Sequence, residues 1–434
     1  MRRPGSSSNI FINMLSVAFF WVAIYAGHVF LTGLEWGVLV FGALVVAVFP
    51  LILRDFFRYA KPAIGRFSGV TAKDRWPRVL TKLICLYSTF GLILFCYLTI
   101  PMYWVSAKAV HFYAPFFHWI TQAGWEFLIV CAVYFWWADK SQENPYDEYW
   151  QVGRLLLGRW KECQRLVLIE YFKSWFIKAF FLPFMVGFLV SYVQGILTWQ
   201  SSEPFFLSIF NHWLDIFYAV DVLFGVLGYF WAIKLLNTHI QSTEPTPFGW
   251  WSCLACYSPF YAVMGLGLLP SQSEMSWETW LRAYPLMSYG WAVMILLLTA
   301  VYALATVAFG YRMSNLTYRG LITGGPYRYT KHPAYICKVL SWWMVSMPFC
   351  STWGMKGVFV QMLSMTVVSL VYYVRAKTEE NHLSNYPEYV QYANWINDHG
   401  LFAGVGKLFP ALQYSYEKTA KSHSVVWFKK IGKG

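Results

Sequence analysis

Charge is what this chain has least of. Only 13% of its 434 residues are Asp, Glu, Lys or Arg, about half the roughly 25% of a soluble domain. That deficit excludes an ordinary soluble globular fold. Acidic residues are the scarcer sign, 21 against 34 Lys and Arg, for a net charge of +13. In so apolar a chain that excess reads as basic loops beside anionic head groups, not as a nucleic-acid surface. Clustered metal ligands are also missing. The eight cysteines stand singly apart from Cys253-Leu254-Ala255-Cys256. With no second CxxC and no nearby His pair, those two read as small packing residues, and no metal site is expected. There is no internal repeat and no low-complexity stretch. A cleavable signal peptide is not expected either, because the apolar run after the short basic stretch Met1 to Asn9 is long enough to remain as a span.

What the chain has in abundance is apolar length. It is 58% hydrophobic and 21% aromatic. Only helices and closed barrels satisfy their backbone in lipid, and the apolar runs are too long for barrel strands. The expected fold is therefore all-α, a polytopic transmembrane bundle of about ten spans of roughly 17 to 25 residues. The windows are Ile10 to Leu31, Trp36 to Leu53, Val79 to Val105, Ile120 to Ala138 and Phe176 to Trp199. They continue with Trp213 to Leu236, Ser252 to Leu269, Ser288 to Gly310, Ala334 to Cys350 and Trp353 to Val374. Between spans four and five, Tyr146 to Lys178 mixes charges with leucines and reads as an amphipathic helix at the interface.

Loop charge predicts the orientation. Arg54 to Lys82 carries eight Lys and Arg, Lys140 to Lys178 seven, and Arg312 to Lys331 four, while the alternate loops are nearly bare. This places both termini in the cytoplasm, in a bacterial inner membrane or another membrane that faces the cytoplasm.

One polar run stands out: Gly325-Pro326-Tyr327-Arg328-Tyr329-Thr330-Lys331-His332-Pro333-Ala334-Tyr335. Its two prolines interrupt helix and restrict the residues before them. A helix starting at Ala334 would turn its free N–H groups into the same place, a favourable site for an anion. Spans nine and ten are separated only by Ser351 and Thr352, so they form an antiparallel hairpin. Arg375, Glu379 and Glu380 then return to the level of His332 and Tyr335. Carboxylates there suit ribose hydroxyls or an ammonium group, and phenol faces suit a sulfonium. The residue types alone fit equally well a solvated loop whose cations bind lipid phosphates.

The stretch Leu321 to Tyr335 resembles the core motif of the isoprenylcysteine carboxyl methyltransferase and phospholipid methyltransferase superfamily, approximately G-P-Y-R-x-x-R-H-P-x-Y, with Lys331 where Arg is commoner. Arg375-Ala376-Lys377-Thr378-Glu379-Glu380, Leu383 and then Tyr389 and Tyr392 are similar to its second half, R-x-x-x-E-E-x-x-L and Y-x-x-Y. The resemblance runs from about Tyr311 to Trp395. It implies a membrane enzyme that transfers a methyl group from S-adenosylmethionine to a lipid or lipidated acceptor. It implies that Tyr329, His332, Pro333, Tyr335, Glu379 and Glu380 bind the cofactor, and that Arg328 and Arg375 position the acceptor or the cofactor carboxylate. A G-x-G element found in some phospholipid N-methyltransferases is not evident.

Two other functions remain open. Membrane sterol reductases, which use NADPH, share a related C-terminal module, but their Asn-Tyr is missing here. A transporter is the third class, because Asp215 and Asp221 lie within the sixth span and intramembrane carboxylates default to function. Asp221, beside Gly225 and Gly228, is expected to face the bundle, either in a structural hydrogen bond or in the wall of a substrate chamber with Thr238-His239 to Glu244 at its mouth. Residues 1–310 are thus expected to form a substrate-selecting membrane domain, and residues 311–434 a catalytic hairpin module with its tail.

Overall fold

The computed structural model describes residues 3–61, 72–142, 144–202, 204–263, 276–410 and 413–415. Apolar composition makes the long helices, and polar punctuation ends them. Asn9 caps α1 (Ile10–Phe30), its side chain accepting from the amides of Phe11 and Ile12. Ser106 caps α4 (Ala107–Ser141) in the same way, and Asp147 caps α5 (Glu148–Leu156). These side chains satisfy amides that have no partner within the helix. The remaining early helices are α2 (Trp36–Asp55), α3 (Ala72–Thr99), α6 (Arg165–Leu197) and α7 (Phe205–Phe230). Later come α8 (Pro247–Leu254), the single turns α9 (Phe260–Val263) and α10 (Trp277–Trp280), and α11 (Pro285–Phe309). The chain closes with α12 (Pro333–Ser346), α13 (Gly354–Leu383), α14 (Pro387–His399) and α15 (Ala403–Leu408). Proline stands at the first position of α8, α11, α12 and α14, where its missing N–H costs nothing. Two-residue strands β1 (Ser242–Thr243) and β2 (Thr317–Tyr318) pair antiparallel.

The all-α polytopic architecture holds. Among the described residues, eight helices are long and apolar enough to cross a membrane. Two expected windows differ. The seventh is broken: α8 starts early, at Pro247 behind its Thr246 cap, and stops at Leu254. Pro259 ends any continuation before α9. The window's end at Leu269 lies outside the described residues. The ninth shrinks to the 14 residues of α12, which stops where Met347 turns left-handed (φ 40°) ahead of Pro348. The hairpin connection is therefore 347–353, longer than the two-residue turn expected. Segment Tyr146 to Lys178 is not one interfacial helix either. Only α5 is separate, and from Arg165 onward the chain is already α6, because the apolar run there continues unbroken.

The largest core lies among α1, α2, α4, α6 and α7, with Phe20, Ile24, Val40, Phe181, Leu189, Leu223 and Phe224 fully buried. Two buried carboxylates gather cations beside the bundle's cores. Asp139 takes Arg78 at 2.8 Å and Lys82 at 3.2 Å. Asp55, at the end of α2, takes Arg312 at 2.8 Å and Arg54 at 2.9 Å, and Tyr311 donates to it at 2.7 Å. This cluster fastens the first hairpin to the end of α11. At that point Gly310 turns with φ +58°, and a Cβ would stand 2.6 Å from the Asn13 amide oxygen. Asn13 in turn donates to the carbonyl of Val307 at 2.6 Å.

Removing one member of a buried pair leaves its partner as an uncompensated charge. Asp55→Asn is expected to destabilise the protein by roughly 3–5 kcal/mol, seen as a lower thermal unfolding midpoint in detergent. Arg58→Gln, on the turn after α2, serves as the control and should leave the midpoint in place.

Candidate functional site

The site forms where the end of α13 meets the start of α12. At roughly 1.5 Å per residue the 30 residues of α13 run about 45 Å, longer than the ~30 Å hydrocarbon core. Its last turns therefore emerge at the surface, carrying Arg375, Lys377, Glu379 and Glu380. The turn before α12 is a short 3₁₀ stretch, Gly325–Arg328, and His332 is the residue that enters the helix.

Four of the expected residues come together. Tyr335 donates its hydroxyl to Glu379 Oε2 at 2.8 Å. His332 Nε2 donates to Glu380 Oε1 at 3.1 Å. The His332 and Tyr335 rings stack, 5.6 Å apart and 8° from parallel. Glu380 also meets Lys331 at 2.6 Å and, one helical turn back, Lys377 at 2.9 Å. Burial pushes the Lys331 ammonium below its ordinary pKa, more than Glu380 raises it. Glu379, by contrast, has the Tyr335 hydroxyl as its one side-chain partner among the described residues, and its remaining lone pairs are free. Pro333 is buried beneath, as the first residue of α12.

Arg375 lies behind this pair rather than in front of it. It is 7% exposed, with its guanidinium 5.1 Å from the Tyr335 ring centre and 5.8 Å from that of Tyr257. It donates to Asn315 Oδ1 at 2.6 Å. Asn315 is itself held by the hydroxyls of Tyr229 at 3.0 Å and Tyr257 at 3.2 Å. The arrangement positions Tyr335 from below. Arg328 and Tyr329 are exposed. What fixes Tyr329 is its backbone: its carbonyl accepts from Leu401 at 2.7 Å, so the tail packs over the 3₁₀ turn. Tyr392 adds a second bond from the tail, to the Tyr327 carbonyl at 2.7 Å.

Asp221 is elsewhere. It accepts from Tyr302, and from Thr306 at 2.6 Å, both on α11. Its role in the structure is to join α7 to α11. It does not face the large cavity of the bundle, whereas His239, Ile240, Gln241, Ser242 and Thr243, expected at a chamber's mouth, do line that cavity.

Sequence reasoning missed Asn315, Tyr257 and Tyr229. They reach the site over 60 or more positions, and no local spacing marks them. Lys377 was findable, since it precedes Glu380 by one helical turn. His382 was also passed over. It shares a 2.7 Å hydrogen bond with Ser242 Oγ, and Tyr386 donates to the same oxygen.

The family model of the isoprenylcysteine carboxyl methyltransferase (ICMT) family matches residues 290–385. The match begins inside α11, takes in the whole polar loop and α12, and ends just after α13. The matched segment is thus that of a methyltransferase family, standing among eight helices long and apolar enough to cross a membrane. Comparison with curated proteins and with solved structures returned no match.

Glu380 is the one anion that gathers Lys331, His332 and Lys377. Glu380→Ala should release the start of α12 without unfolding the bundle. The loss of a charge-assisted bond of roughly 1.5–3 kcal/mol predicts about tenfold or faster amide exchange over residues 327–336, read by hydrogen–deuterium exchange. Unchanged protection there would show that the 3₁₀ turn is held by the tail alone.

Proposed function

We propose that the chain is an S-adenosylmethionine-dependent methyltransferase whose acceptor is a membrane lipid or a lipidated molecule. The observation that carries this reading is the meeting of His332 and Tyr335 with Glu379 and Glu380 across the α12–α13 hairpin, within the segment the methyltransferase family model matches. The donor set suits the cofactor. Glu379 has lone pairs for an ammonium or for ribose hydroxyls. Lys331 and Lys377 offer positive charge to a carboxylate. The stacked His332 and Tyr335 rings present faces that attract a sulfonium or an adenine.

Bound S-adenosylmethionine would supply an already activated methyl group, for a displacement that would form the acceptor–methyl bond, break the sulfur–methyl bond and leave S-adenosylhomocysteine. The chain's own part is alignment and the exclusion of water. Arg375, buried under Tyr335, keeps that ring and Glu379 in place. If the acceptor is a carboxylate no base is required. If it is an amine, Glu379 or His332 stands where a proton could be taken. Arg328, exposed on the 3₁₀ turn, is left to meet the acceptor's head group at the surface. In this reading residues 311–434 hold the donor, together with α11, and the earlier spans handle the acceptor. The basic loops favour an orientation with both termini on the cytoplasmic side.

Purified protein in detergent should bind S-adenosylmethionine with a dissociation constant on the order of micromolar by calorimetry. Tyr335→Phe removes only the hydroxyl that holds Glu379. It should weaken binding about three- to tenfold while the melting midpoint stays put. Binding of NADPH with no response to S-adenosylmethionine would overturn the proposal in favour of a reductase.

A further inference from the structure

A cavity of about 2180 Å³, partly open to the outside, lies among α2, α3, α4, α6 and α7. Cavities that take drug-sized ligands are roughly 300–1,000 Å³, so this one is built for something larger. Most of its wall is apolar, from Phe41 and Leu44 on α2 through Leu94 on α3 to Leu182 on α6 and Leu227 on α7. These walls lie almost wholly outside the segment that matches the methyltransferase family. Only the floor touches that segment, at Asn381, His382, Ser384 and Asn385, directly after Glu379 and Glu380.

The floor is polar, and its charges are not balanced alike. Each carboxylate there has a partner. Asp147 takes Lys82 and Lys234, and Glu148 takes Lys234 at 2.5 Å. Glu170 accepts from the amide and the hydroxyl of Thr243, both at 2.8 Å. Glu126, on α4, is exposed. Lys178 is different. It lines the cavity from α6, and among the described residues no carboxylate lies within 4.0 Å of its ammonium. What it has is the Trp175 ring, 4.3 Å away. His239 lines the same floor, and its Nδ1 is buried without a hydrogen-bond partner. Burial and the neighbouring cations push His239 down to about 4, so it is neutral and has an N–H to give. An ammonium with no carboxylate partner at the end of an apolar chamber is costly unless an anion completes it; on His239 the nitrogen left to meet that anion is Nε2, because Nδ1 is closed off.

We propose that this chamber binds a long-chain amphiphile with an anionic head group, the chain lying between α3, α4 and α6 and the acidic group seated on Lys178 and His239. A carboxylate and a phosphate share the required chemistry. That the bound amphiphile is the methyl acceptor rests on the methyltransferase reading above. That the chamber binds it does not.

The test uses the full chain in detergent and a fluorescent polyene fatty acid, cis-parinaric acid, beside its uncharged methyl ester. The acid should bind about tenfold more tightly, as one charge-assisted contact provides. Lys178→Gln should remove that preference, and Lys178→Arg should keep it. Gly91 lines the chamber and has nothing within 4 Å of its would-be Cβ. Gly91→Phe should therefore fill the space and weaken acid and ester together. Phosphatidic acid should displace the probe, whereas inorganic phosphate and phosphatidylcholine should not. Equal binding of acid and ester to the unaltered chain, or displacement by phosphatidylcholine as readily as by phosphatidic acid, would overturn the head-group assignment. Indifference to Gly91→Phe would overturn the chamber. Binding of the acid without any binding of S-adenosylmethionine would leave the chamber standing and remove the methyltransferase reading. The reverse result would remove the chamber alone.

Discussion

One guanidinium holds the irregular part of this molecule together. Arg319 is 4% exposed. It donates to the carbonyls of Gly228 at 2.8 Å and Met313 at 3.2 Å, and through two nitrogens to that of Thr238. Those carbonyls belong to the end of α7 and to two loops, and each would otherwise be a buried acceptor without a partner. In and beside a membrane such backbone is tolerated only where protein satisfies it. Burial, and behind it the repulsion of Arg312, brings Arg319 down to about 9. The approach is so close that a Cβ at Gly228 would stand 1.9 Å from the Met313 carbonyl oxygen. The β1–β2 pair, the placement of Asn315 and hence the seat of Arg375 all follow from this junction.

Much of the site was legible because its chemistry is written in local order. A proline-bounded His332 at a helix start, and Glu379-Glu380 at the end of the following helix, have to meet once the two helices form a hairpin. The same logic read the helical class from long apolar runs and found the lining of the loop after α7. It does not reach what position on a helix surface decides. Asp221 sits in a span beside glycines, and the sequence does not say which neighbour it faces; the answer is Tyr302 and Thr306. Arg328 and Tyr329 share a motif with His332, but at the end of a 3₁₀ turn both are exposed. Asn315, Tyr229 and Tyr257 meet Arg375 only through tertiary packing. The short α12 was misjudged because apolarity continues past Ser346 although the helix does not.

The N-terminal stretch belongs to the site as a support. Ser7 donates its amide to the Leu321 carbonyl at 2.8 Å, and the Thr323 hydroxyl donates to the Pro4 carbonyl at 3.0 Å. The polar loop therefore lies between two straps, the start of the chain on one side and α14 with the Leu401 amide on the other. The strap from the start of the chain crosses a division at residue 310.

The brevity of α12 has a mechanical consequence. Its 14 residues span roughly 21 Å, less than the bilayer's apolar depth. With its start at the surface, its far end would lie within the hydrocarbon layer; there the indole of Trp291 donates to the Met344 carbonyl at 2.9 Å. Such a helix is a short lever with its pivot inside the lipid and its working end, His332 and Tyr335, at the surface. Bilayer thickness and lateral pressure act on the pivot. The stacked His332 and Tyr335 rings would thus feel the state of the membrane that surrounds them.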